Sequence, residues 1–195
     1  MTMPPRIPAL LAALGLLVGA CTATQEPSFY LLEPPGTTDR VPTGPVIGPV
    51  IGLREFALPL YARRQQIAVL GADGAVAVSD LHRWVEDPSR AITRVVARSL
   101  SAGLDRPVVV EPWPPGVAPE QRVDVEVDLL LGALDGDLRL EGQYRVIRAA
   151  GPAGGRVTPF ALVEPVGGPR YNDLVLAHGR ILQRLAAAIE ADIRR

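Results

Sequence analysis

The chain has 195 residues, enough for one ordinary domain. It is 48% hydrophobic and 21% charged, which describes a globular core and excludes a disordered or collagen-like chain. Twenty basic residues, all arginine, face 21 acidic ones, and that balance excludes a general nucleic-acid binder, which needs a basic excess. The single cysteine excludes an intrachain disulfide, and with two histidines it cannot build a zinc site by itself.

Residues 1–20 read as an export signal. Arg6 is their only charge, and Ala9 to Val18 is an apolar run of ten residues. That length suits a signal and falls short of the roughly 20 residues a spanning helix needs. The run ends in Val18-Gly19-Ala20-Cys21, small residues before a cysteine, the pattern of a lipobox. The reading is cleavage before Cys21 and acylation of its sulfur and its new amine. Thr22 follows where an aspartate would favour retention in the inner membrane, so the expected address is the periplasmic face of the outer membrane. The remaining chain carries 19 arginines against 21 acids and relies on a covalent lipid on Cys21 rather than on a polybasic patch.

After the anchor, residues 21–45 read as a tether with a short strand, 28–32, and a Pro/Gly/Thr-rich loop, 33–45. Residues 46–195 read as one domain. It opens with an apolar, β-branched strand, 46–56, in which Gly48 and Pro49 predict a bulge or an edge. Leu58-Pro59-Leu60-Tyr61 breaks that strand. Residues 66–70 and 75–78 flank Gly71-Ala72-Asp73-Gly74 as a hairpin. A helix spans 87–102, with Asp87 as N-cap, Pro88 at its first position and Gly103 as C-cap. Residues 106–111 form a short buried strand and 112–119 a proline-rich loop.

Residues 123–131 alternate. Val123, Val125, Val127 and Leu129 face one way, and Asp124, Glu126 and Asp128 the other. Asp135-Gly136 turns the chain into a return strand, 137–148, whose Leu138, Leu140, Tyr144 and Val146 face the core. Its arginines are expected across from the carboxylates. Gly151 to Gly155 makes another turn, and 156–166 a last strand interrupted by Pro159. A second helix, 172–194, buries Leu174, Val175, His178, Ile181, Leu182, Leu185, Ile189 and Ile193, with Arg180, Arg184 and Glu190 outside that face. Two helices are too few to cover both faces of a sheet. The expected class is α/β, a single two-layer sandwich of a mixed or largely antiparallel sheet with two main helices.

The chain carries no phosphate loop, HExxH, GxSxG or CxxC, and no catalytic, cofactor-binding or metal-binding residue is assigned. His178 falls on an apolar face and reads as a core histidine, and His82 reads as a surface residue near the start of a helix. The carboxylate row is a solvated strand face, because a flat face does not wrap a calcium ion. Arg90, Arg94 and Arg98 form a stripe along the first helix, a solvated face first and a docking surface second, which with the loop residue Trp113 is the candidate partner surface; Trp113 equally suits closing the bottom of the core.

In order, the lipobox, Phe29-Tyr30-Leu31-Leu32, Val50-Ile51-Gly52, Leu58-Pro59-Leu60-Tyr61, Arg64-Gln65-Gln66-Ile67, Trp84-Val85-Glu86 and Tyr171-Asn172-Asp173-Leu174-Val175-Leu176-Ala177 resemble the ABC-type transport auxiliary lipoprotein family, the PqiC-like lipoproteins. Gly19 and Tyr144, where that family often has Trp, depart from its pattern. The resemblance implies a non-catalytic periplasmic lipoprotein of a lipid-trafficking system. Its partners would be an ABC permease, an ATPase and an MCE-domain protein that bridges the periplasm. The alternative is a lipoprotein that itself binds and carries lipid. Self-association is compatible with the sequence, which does not set a subunit number.

Overall fold

Residues 25–34, 36, 48–150 and 155–195 are described by a computed structural model. The signal, Cys21, most of the 33–45 loop and the tip of the 151–155 turn lie outside these residues. The elements in chain order are β1 (Ser28–Tyr30), β2 (Ile51–Leu53), β3 (Gln66–Leu70), β4 (Val76–Trp84), α1 (Pro88–Leu104), β5 (Val108–Val110), β6 (Gln121–Gly132), β7 (Asp137–Arg148), β8 (Arg156–Pro165) and α2 (Tyr171–Ile193).

The strands make one mixed sheet with both helices on one face, so the architecture is the expected two-layer α/β sandwich. The long strand β6 organises it. One of its edges pairs antiparallel with β7, which pairs antiparallel with β8. Its other edge is shared by parallel partners: β2 at its start, Ala57 at its middle and β3 at its end. β5 flanks β2 in parallel, β4 flanks β3 in antiparallel, and β1 closes that side in parallel with β4.

Pairing corrects three of the sequence expectations. The strand expected over 46–56 is three residues long and lies between β5 and β6, so it is internal and not an edge. β4 runs on to Trp84, well past residue 78. The alternation of β6 changes phase: Val127 pairs with Gly142 and Leu129 with Glu141, leaving Asp128 as the extra residue of a bulge. Leu130, not Leu129, therefore turns into the core, with 6% exposure. Gly142 is what admits the bulge, since a Cβ there would lie 2.1 Å from the Glu126 carbonyl oxygen. Tyr61 then closes the ladder, its hydroxyl accepting from the Leu130 amide at 3.0 Å.

α1 begins as expected. The Asp87 carboxylate accepts from the amides of Ser89 at 2.8 Å and Arg90 at 3.2 Å. It ends later than expected, because Asp105 and not Gly103 takes the left-handed conformation, with φ of 51°. Gly103 serves close packing instead: a Cβ there would strike the Glu190 carboxylate of α2. Arg194 donates to the Gly103 carbonyl at 2.6 Å, placing a cation at the carbonyl end of α1. Ile92, Val95, Val96 and Leu100 of α1 and Leu174, Ile181, Leu185 and Ile189 of α2 fill the layer between helices and sheet.

The boundary of α2 is more involved in packing than its polar sequence suggests. Arg180 and Arg184 both bond Glu164 of β8, at 2.6 and 3.2 Å. Their guanidinium groups also donate to the carbonyls of Pro165 and Val163, at 2.8 and 2.5 Å. These contacts fasten the edge strand to the helix.

Candidate functional site

The first described strand, β1, is fastened by an aromatic knot. β1 has only three residues, and its ladder with β4 alone is too short to hold it firmly. Its register brings Ser28 beside His82 and Tyr30 beside Trp84. The Tyr30 hydroxyl is hydrogen-bonded to His82 Nδ1 at 3.0 Å. The His82 ring stacks on Tyr171, the first residue of α2, with centroids 3.7 Å apart and planes 14° from parallel. Leu32, just beyond the strand, is 2% exposed in the core. His82 is therefore a half-buried strand residue at a junction of three elements, not the surface residue expected near a helix start. Periodicity does not reveal this, because the stack joins residues distant in sequence.

Below this knot, His178 meets Trp84 edge-on, ring centroids 5.3 Å apart. It is buried, as expected, and its Nδ1–H donates to the Leu174 carbonyl at 2.8 Å. Burial pushes its pKa down to about 4, against a smaller upward effect of that bond, so the ring is neutral at pH 7. A neutral imidazole facing an indole and a helix carbonyl is a packing group. Tyr171 is pushed upward, by burial first and then by its neighbour Tyr30.

The candidate partner residues divide between the two layers. On α1, Arg94 is bound to Glu86 through both terminal guanidinium nitrogens, which holds the Glu86 carboxyl below its ordinary range. Arg90 is exposed and lies 4.0 Å from Glu55, and Arg98 is exposed. Trp113 sits on the opposite layer. A Cβ on Gly52 would lie 2.8 Å from its ring, so the indole covers the outer face of β2 beside Pro119. The arginine stripe and Trp113 do not form one continuous patch.

The strand carboxylates are tied mostly along their own strands. Asp124 accepts from Arg122 Nε at 3.0 Å and Glu141 from Arg139 Nε at 3.1 Å. Arg145 stands across from Asp124 in register, as expected, while the hydrogen bond Asp124 accepts comes from Arg122 on its own strand. Side chains two apart on a strand share a face, and here they meet first. Among the described residues no group of three or more His, Cys, Asp or Glu could hold a metal ion. No described helix is long and apolar enough to cross a membrane.

The fold is thus an α/β sandwich whose first described strand is fastened at its edge and whose histidines are engaged in ring packing. Residues 30–190 match the ABC-type transport auxiliary lipoprotein component family, and the chain belongs to that family. Two solved structures share the fold. One is an uncharacterized protein, 18% identical, covering 86% of this chain and 99% of its own, with a TM-score of 0.69. The other is protein XCC0632 from Xanthomonas campestris, of the DUF330 family, 12% identical, covering 83% of this chain and 92% of its own, with a TM-score of 0.61. No curated protein is similar enough in sequence to count as a relative. The family is one of transport auxiliary lipoproteins, which agrees with a non-enzymatic, membrane-anchored component.

Proposed function

We propose that the chain is an outer-membrane lipoprotein, acylated on Cys21, that holds the outer-membrane end of an ABC-type, MCE-linked lipid transport system. It docks the periplasm-spanning MCE protein on its surface and performs no chemistry. The observation that favours docking over lipid carriage is the filled core. The cavity under the helices, beside Trp84, Ile92 and His178, is about 20 Å³, room for about one water molecule. Pockets for small molecules are typically roughly 300–1,000 Å³ and largely apolar. Two hollows of that size among the described residues are open, and each carries several charged side chains. One, of about 320 Å³, holds Arg54, Glu111, Asp124 and Arg145, and the other, of about 440 Å³, holds Arg148, Arg156, Asp192 and Arg195. Neither suits an acyl chain.

The exposed arginines of α1 supply the docking face in this reading, with Trp113 as the alternative on the other layer. A photo-crosslinking amino acid at position 98, 113 or 157 in the full-length protein tests it in living cells. Crosslinks from position 98 to an MCE-domain protein, absent from position 157, are expected. No crosslink to such a protein from position 98 or 113, together with noncovalent phospholipid in stoichiometric amount on the purified protein, overturns docking in favour of carriage.

A further inference from the structure

We propose that the outer face of β1 rests on the lipid surface that receives the Cys21 anchor, with Phe29 and Leu31 in contact with acyl chains and Arg83 at the phosphates. The inference rests on the acylation of Cys21 proposed above. Phe29 is 61% exposed and Leu31 50%, two large apolar side chains on one side of an edge strand. Their neighbours extend the patch. Phe29 is the register partner of Arg83, and the Val85 amide donates to the Tyr30 carbonyl, which sets Val85, 52% exposed, beside Leu31. The alternate residues Tyr30, Leu32 and Trp84 belong to the core side, so this is the sheet face away from the helices.

Arg83 gives the patch its chemistry. It is half-buried, and its Nε is enclosed without a hydrogen-bond partner among the described residues. An arginine set among exposed apolar side chains can lay its stem on acyl chains and direct its guanidinium to phosphate oxygens, which it bonds bidentately. Arg63 and Arg64 are exposed just before Gln66, the register partner of Arg83 on β3. Glu26 and Glu33, both exposed, lie beyond the two ends of β1.

The length of the tether selects a membrane as the occupant. Phe29 is eight residue steps from Cys21, a reach of at most about 29 Å even fully extended. β1 is the first element on that tether, so its edge is held near the anchoring bilayer at high effective concentration. The edge strand β8 stands five strand positions away across the sheet, roughly 24 Å at about 4.8 Å per strand.

The test uses the processed, acylated protein in vesicles of phosphatidylethanolamine and phosphatidylglycerol, with and without brominated acyl chains. Phe29→Trp and Leu31→Trp report on the patch. Val157→Trp, at a residue of β8 that is 47% exposed, reports on the far edge. The fluorescence of Trp84 and Trp113 is subtracted using the parent protein. Brominated lipid should quench the added emission of Phe29→Trp and Leu31→Trp by half or more and leave that of Val157→Trp unchanged. Equal quenching at the two edges overturns the proposal. So does an added emission at position 29 that shifts to the blue without quenching, which marks cover by a second copy. Flotation with the vesicles and the mass of the Cys21 peptide separate the two readings. An acylated protein that floats without quenching at 29 or 31 loses only the face contact, whereas an unacylated Cys21 removes the anchor itself.

Discussion

His82 lies flat against Tyr171, ring centroids 3.7 Å apart, while its Nδ1 is hydrogen-bonded to Tyr30. One imidazole thus joins the strand that follows the tether, the strand β4 and the start of the C-terminal helix. His82→Ala should loosen β1 without unfolding the domain. Amide exchange of residues 28–30 should rise at least tenfold while that of β6 and β7 is unchanged. His82→Phe, which can keep the stack but not the bond, should fall between. Unchanged exchange in His82→Ala would mean that the ladder alone holds the strand.

Leu185 and Arg184 are adjacent but differ in what they hold. Leu185 is fully buried, and Leu185→Ala should destabilise by ~2–5 kcal/mol through lost transfer energy and a cavity. Arg184 is half-exposed and shares Glu164 with Arg180, so Arg184→Ala should cost at most about 1 kcal/mol. Chemical denaturation of the purified protein compares the two midpoints. Equal losses would mean that the edge clamp carries as much as the core.

Gly142 is the backbone condition for the bulge in β6. Its Cβ would meet main-chain atoms of Glu126 and Val127, which cannot swing aside as a side chain can. Gly142→Ala should therefore cost about 1–3 kcal/mol or more. The same denaturation measurement checks it, and a neutral result would mean that β6 repacks without the bulge.

These residues also show why parts of the structure are visible in sequence and parts are not. The two helices and the β6–β7 hairpin announce themselves through local periodicity, since a 3.6-residue repeat and an alternation are carried by neighbouring positions. The bulge at Asp128 is set by a glycine on the partner strand, so the alternation continues on paper where it has shifted in space. Gly103 looks like a cap because caps are often glycine, yet it lies inside the helix, where its open face receives the Glu190 carboxylate of the other helix. The aromatic knot joins three distant segments, and it is assembled by the parallel pairing of β1 with β4 and the packing of α2 on them. The absence of catalytic motifs could be read directly, but not that His82 fastens the tether strand.

His178 makes stability depend on acid. Its folded pKa of about 4 lies below the ordinary value of 6.5, so the unfolded chain binds the proton more readily. The stabilisation is complete above pH 6.5 and is lost as pH falls toward about 4, up to roughly 3 kcal/mol over that window. Glu86, Asp173 and Asp192 are held below their ordinary values by hydrogen-bonded partners, so their contributions fade mainly at lower pH. His178→Leu should flatten the dependence of the denaturation midpoint between pH 7 and 4.5. A slope equal to that of the parent would assign the acid sensitivity elsewhere.

Cys21→Ser should leave the signal uncut and the chain unacylated, as read by intact mass and by fractionation of the envelope. A variant that is cleaved and still fractionates with the outer membrane would overturn the lipid anchor.

In the proposed function an anchored, filled α/β domain serves a transport machine by binding it. Affinity purification of the tagged full-length protein from native envelopes, with identification of everything that accompanies it, tests this most directly. An MCE-domain protein should come down with it together with an ABC permease and ATPase, and no noncovalent phospholipid in stoichiometric amount. A protein that comes down without those components and with one bound phospholipid per chain would contradict it.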